Sequence, residues 1–199
     1  MQTTSENNKQ NYAFQKLIVF VGIALFILKI VAWYYTHSVA ILTDALESIV
    51  NIITAFIGLY SLYLSAIPND ENHPYGHGKV EFVSAAIEGG LITIAGLFII
   101  YEAIVNLQHP QQIGRLDLGI VLVSVTAVIN YLIGSIAVSK GKKSRSLALE
   151  ASGRHLKSDT YSTAGIVAGL IIVAITKLTW LDSVVALLFA GIIIFTGYK

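Results

Sequence analysis

The chain contains no cysteine, which removes disulfides, thiol catalysis and thiolate metal sites together. Charge is scarce as well. Only 13% of the 199 residues are Lys, Arg, Asp or Glu, roughly half the share of an ordinary soluble domain. With three prolines and no long polar tract, it lacks the composition of a disordered arm or linker. The formal net charge is +1, so nothing suggests nucleic acid as a partner. Neither a phosphate-binding Gly-x-x-x-x-Gly-Lys-Ser/Thr loop nor a His-Glu-x-x-His or Gly-x-Ser-x-Gly motif occurs. Nucleotide-driven work and intramembrane hydrolysis therefore have no sequence basis, and the chain does not read as an enzyme. What is abundant is apolar surface: 55% hydrophobic residues and a mean hydropathy of +0.70 indicate an all-α membrane protein.

Six apolar segments can be marked, Phe14 to Tyr35, Val39 to Ile67, Phe82 to Leu107, Leu118 to Val138, Thr160 to Ile175 and Val184 to Tyr198. Each is near the ~20 residues a helix needs to span hydrocarbon, the fifth only when the polar residues before it are included. The expected architecture is a six-helix transmembrane bundle over residues 14–199, preceded by a short cytoplasmic lead at 1–13 that shows no signal-peptide cleavage site. Lys9, Lys16, Lys79, Lys140, Lys142, Lys143, Arg145 and Lys199 fall on one side of this bundle, against chiefly Arg115 and Lys177 on the other. The positive-inside bias then places both termini in the cytoplasm. Trp33, Tyr34, Tyr35 and Trp180 form an outer aromatic belt, and Lys29 is expected to snorkel toward it. Gly165 and Gly169 have helix-packing spacing, a common pattern of low specificity.

An acidic side chain at the centre of a membrane helix costs roughly 2.5 to 3.5 kcal/mol on insertion scales, so such residues mark function or internal pairing. Asp44, Glu47 and Asn51 follow one stripe of the second helix, and His155 and Asp159 share a face of the fifth. Glu47, Asn51, His155 and Asp159 together offer two carboxylates, an amide and an imidazole, a tetrahedral N/O donor set for a divalent cation. At 1.5 Å per residue Asn51 lies ~18 Å into its helix and Asp159 ~24 Å from the far end of its own, close enough in depth to meet. Arg154 and Lys157 point more than about 100° away from that face. The same residues would also serve as an interhelical hydrogen-bond cluster, and Asp44 either orients helices near the outer end or lines an exit path.

A second cluster occupies the loop from Asn69 to Lys79, where Asp70, His73 and His77 have spacings of three and four and Glu71 adds an oxygen. It reads either as a surface metal site or as a solvated Asn/Pro/Gly turn. His37 and His109 read as ordinary outer-loop residues, and Asp182 with Ser183 as the N-cap of the sixth helix. Glu81 stands at a helix start and Glu102 and Asn106 near an end, whereas Glu88 and Asn130 lie deeper with no assigned role beyond packing or a cavity wall.

Six helices, the run Leu42-Thr43-Asp44-Ala45-Leu46-Glu47, the loop Asn72-His73-Pro74-Tyr75-Gly76-His77-Gly78-Lys79-Val80-Glu81 and His155-x-x-x-Asp159 together resemble the cation diffusion facilitator family of divalent-metal exporters, over almost the whole chain. The resemblance implies a transport site on helices two and five, usually Asp/His-x-x-x-Asp with His/Asp-x-x-x-Asp. Glu47 and Asn51 fall at the helix-two positions and depart from it twice, with one charge fewer and one arm longer; the helix-five half matches the zinc/iron-type pattern. It further implies a second metal site at Asp70, His73 and His77, a homodimer, a multi-pass position in the bacterial inner membrane, and metal exchanged for entering protons by alternating access. Most members also carry a cytoplasmic metal-binding domain after helix six, which lies outside this sequence. The expected function is efflux of a divalent metal, Zn²⁺ first, with Fe²⁺, Co²⁺, Ni²⁺, Cd²⁺ and Mn²⁺ open and no cofactor beyond the cargo. The alternative is a non-transporting membrane metal sensor or dimeric scaffold.

Overall fold

A computed structural model describes residues 4–65, 78–110 and 112–198. Every described element is a helix: α1 (Thr4–Thr36), α2 (Val39–Ser65), α3 (Gly78–Gln108), α4 (Leu116–Ser144), α5 (Leu147–Thr176) and α6 (Trp180–Tyr198). Asp70, Glu71, His73 and His77 lie outside the described residues.

Four stretches are long and apolar enough to cross a membrane among the described residues, Gln10–Thr36, Gly90–Gln108, Leu116–Ser144 and Leu147–Thr176, with Trp180–Phe195 a shorter apolar helix. The distribution of polarity agrees with that environment. Lys29, Asp44 and Asp159 are buried while Phe20, Ile175 and many other large apolar side chains are exposed, the inverse of a water-soluble core.

Two boundaries differ from the apolar pattern. The basic run from Lys140 continues α4 to Ser144, because Lys is a good helix former. The helix stops only where Arg145 turns into the left-handed region at φ 53°. Ser146 then caps α5, its hydroxyl accepting from the Leu149 amide at 3.4 Å. α5 therefore starts at Leu147, far ahead of its apolar run at Thr160, and carries both His155 and Asp159 inside a continuous helix.

The pairings of α4 with α5, α3 with α6, and α1 with α2 and α4 dominate the packing. The α4/α5 seam is a backbone-to-backbone contact made possible by glycine. A Cβ at Gly153 would stand 2.6 Å from the Val138 nitrogen and 2.7 Å from the Gly134 oxygen, and one at Gly141 would stand 2.6 Å from the Glu150 nitrogen. Gly165 and Gly169 do pack against another helix, facing Phe189 and Val185 of α6.

At the other end of the bundle, three connections are fastened together. The Gly114 amide donates to Thr36 O at 2.9 Å, and Asp182 accepts from Ser38 Oγ at 2.5 Å and from the Val39 amide at 2.6 Å. Asp182 is thus the cap of α2 and not of α6. The first turn of α6 is already closed by backbone bonds such as Asp182 N to Thr179 O at 3.2 Å, whereas the buried start of α2 needs an acceptor.

Gly153→Val should force α4 and α5 apart and destabilise the fold by about 2 kcal/mol or more. A thermal melt of the detergent-solubilised protein measures this, and an unchanged midpoint would contradict the close seam.

Candidate functional site

The α1/α2 link at His37 and Ser38 makes these helices an antiparallel hairpin, so residues equally far from its tip face each other. Lys29 and Asp44 are such a pair. Lys29 Nζ lies 2.9 Å from Asp44 Oδ1, with both side chains 1% exposed, and also donates to Ser48 Oγ at 2.8 Å. Lys29 does not snorkel. It lies about 10 Å along the helix from the end of α1, and a carboxylate much nearer than water meets its charge. Thr163 of α5 completes the group by donating to Asp44 Oδ1 at 2.6 Å. Asp44 therefore orients three helices.

One to two turns beyond Asp44 along α2, the expected donor residues converge with α5. Asn51 Nδ2 donates to Asp159 Oδ2, and Asn51 Oδ1 lies 2.5 Å from His155 Nε2. An amide oxygen can only accept, so His155 Nε2 carries the proton of that bond. Asn51 is the bridge of a polar run, His155 to Asn51 to Asp159, that crosses from one helix to the other. Asp159 is 4% exposed. Glu47 is within electrostatic reach of Asp159, Asp44, Lys29 and His155. Its Oε2 is buried and makes no hydrogen bond, as is true of Asp44 Oδ2. Among the described residues no three His, Asp or Glu side chains are gathered closely enough to be a ready cage; the Asn51 amide bridges His155 and Asp159.

Arg154 and Lys157 face away from this run. Arg154 pairs with Glu150 at 2.7 Å on the surface, and Lys157 Nζ stands 5.3 Å above the Tyr131 ring. Asn106 donates to Ser183 Oγ at 2.9 Å, joining α3 to α6. The residues missed by sequence reasoning are Lys29 as an internal partner, with Ser48 and Thr163. Their signal was periodicity: Ser48 follows Asp44, and Thr163 follows Asp159, by four residues.

The family described as the cation efflux transmembrane domain matches residues 16–199. The chain belongs to the cation efflux family. This is the cation diffusion facilitator group, and the protein is a multi-pass membrane protein of it. It is 36% identical over 170 residues to an uncharacterized transporter of Synechocystis, covering 85% of this chain and 55% of that one. It is 28% identical to the cation-efflux pump FieF of Pectobacterium carotovorum, covering 90% of this chain and 59% of the pump. It is 30% identical to the metal cation efflux system protein CzcD of Cupriavidus metallidurans, covering 81% and 50%. The chain thus spans between half and three-fifths of the length of these relatives. All three are named as transporters or efflux proteins.

Lys29→Met should leave Asp44 as an unpaired buried charge and cost about 3 to 5 kcal/mol, whereas Lys29→Met with Asp44→Leu should recover most of that loss. Denaturation of the single and double variants in detergent checks the coupling. Equal loss in both would mean that the pair is not the stabilising contact.

Proposed function

We propose that the chain is the membrane domain of a divalent-metal exporter whose transport site is Glu47, Asn51, His155 and Asp159. The observation that carries this reading is the buried, hydrogen-bond-free Oε2 of Glu47 beside the His155–Asn51–Asp159 run. An unsatisfied carboxylate oxygen inside an apolar bundle is costly unless a cation or proton meets it. Charge arithmetic agrees with a divalent cargo. Lys29 cancels Asp44, and Glu47 with Asp159 leaves two negative charges when both are ionised.

Metal entering the site replaces the two hydrogen bonds of Asn51. The amide oxygen turns to the ion, and His155 and at least one of Glu47 and Asp159 give up any proton they hold. Reprotonation from the far side releases the ion. Imidazole suits this exchange because it changes charge near neutral pH. Alternating access would couple export to proton entry. The N/O set with no sulfur favours Zn²⁺, then Fe²⁺, over Cu(I). The names of the FieF and CzcD relatives, an efflux pump and an efflux system protein, support export.

Six spans with both termini in the cytoplasm, a homodimer and a place in a bacterial inner membrane belong to the same reading. So does a second metal site at Asp70, His73 and His77, with Glu71 and Asp44 along the path. Of these, Asp44 is held by Lys29 and Thr163, and its contribution to a path would be electrostatic.

In proteoliposomes with a pH gradient, Glu47→Ala and Asp159→Ala should each reduce Zn²⁺ flux at least about tenfold, the order expected for loss of one ligand or ligand-orienting group. Full flux in both variants would sink the site assignment. Binding without flux in the unaltered protein would favour a metal sensor or scaffold instead. Asn51→Asp should tighten Zn²⁺ binding in a competition assay by adding an anionic ligand. An affinity still unchanged or weaker at alkaline pH, where the added carboxylate has lost the proton it would share with Asp159, would exclude Asn51 from the coordination shell.

A further inference from the structure

The six basic residues between Lys140 and Lys157 share that stretch with a single acid, Glu150. Three of them, Lys142, Arg154 and Lys157, converge on one cavity of about 390 Å³ between the end of α4 and the first half of α5, whose other walls are Val138, Ser158 and Tyr161. No carboxylate lines it. Glu150 answers Arg154, so Lys142 and Lys157 remain as a surplus of two positive charges. Such a pocket repels a divalent cation and cannot be part of the metal path. Its chemistry suits a phosphate.

The surface that continues from the cavity says which phosphate. Along α5 the exposed positions run Arg154, Ser158, Tyr161, Ala164, Ala168, Ile172 and Ile175, one helical stripe at spacings of three and four. It begins cationic, passes an exposed tyrosine and becomes wholly apolar. On α4 the exposed Tyr131 ring, beneath Lys157 Nζ, and Val128 extend the same gradient. Basic residues at the head, aromatics at the interface and a bare apolar track below match the headgroup, glycerol and acyl regions of a phospholipid. A free phosphate would have no use for the track.

We propose that this groove binds an anionic membrane phospholipid, its headgroup phosphate held by Lys142, Arg154 and Lys157 and its acyl chains laid along α5. The bound lipid would bridge the two helices whose glycine seam positions His155 and Asp159.

The test is native mass spectrometry of the delipidated full chain, titrated with phosphatidylglycerol or phosphatidylcholine of equal acyl length. Taking about fivefold for each basic residue near the lipid surface, Lys142 and Lys157 should give phosphatidylglycerol an advantage of about 20-fold. K142Q/K157Q should lose that preference. K142R/K157R should keep it, and so should K143Q/R115Q, which removes two cations that do not line the groove. Equal binding of the two lipids by the unaltered chain would overturn the proposal, and that comparison stands even if a variant fails to fold. A preference retained in K142Q/K157Q would overturn it as well. Displacement of phosphatidylglycerol by millimolar inorganic phosphate would replace the lipid by a free anion.

Discussion

A charge enclosed by apolar helices has to be answered by a neighbour, because the low local dielectric magnifies both its attraction to a partner and its cost without one. Lys29 and Asp44 meet that requirement within about two turns of the tip of the α1/α2 hairpin. Their contact fixes how far one helix slides along the other. Thr163, donating to the same carboxylate oxygen, extends the constraint to α5. Register among the three helices is therefore set one turn from Glu47 and two turns from Asn51. The ion pair also decides the charge that is left over. With Asp44 neutralised internally, Glu47 and Asp159 are the acidic groups near the bridge that still lack a cationic side chain in contact.

Backbone proximity does the complementary work on the other side. The glycines at 134, 141 and 153 let α4 and α5 approach until main-chain atoms touch. The rotation of α5 then sends His155, Asp159 and Thr163 inward and Arg154, Ser158 and Tyr161 outward. Adjacent residues of one helix differ by about 100° in direction, enough for Arg154 and His155 to belong to different environments. The cationic side chains of Arg154 and Lys157 are kept from the polar run by helical geometry.

Much of this was legible in the residues themselves. The six helical segments follow from apolar length, and the meeting of Asn51 with Asp159 from counting depth along two helices. The α5 start at Leu147 was hidden because polar residues before Thr160 look like a loop until Ser146 is recognised as a cap. Lys29 and Asp182 were misread for one shared reason. Each was assigned a partner within its own helix or in solvent, whereas its partner comes from another helix, 15 residues away for Lys29 and 143 for Asp182. Local rules cannot supply such pairs. The hairpin tip at His37 does supply the first, since Lys29 and Asp44 stand nearly equidistant from it.

The amide at Asn51 has a consequence for proton coupling. Two hydrogen bonds satisfy it in the described state, accepting from His155 and donating to Asp159. A carboxylate in its place would lie against Asp159, and two like charges at that distance would hold a proton between them. The amide donates its own hydrogen to Asp159 and needs no such proton. It also cannot release one when a cation arrives. Under the proposed transport reading, the exchangeable protons of the site reside on His155, Glu47 and Asp159 alone, so the exchange has one titrating group fewer than a site with aspartate at this position. Glu47, with its buried free oxygen, is then the helix-two residue through which proton and metal can compete directly.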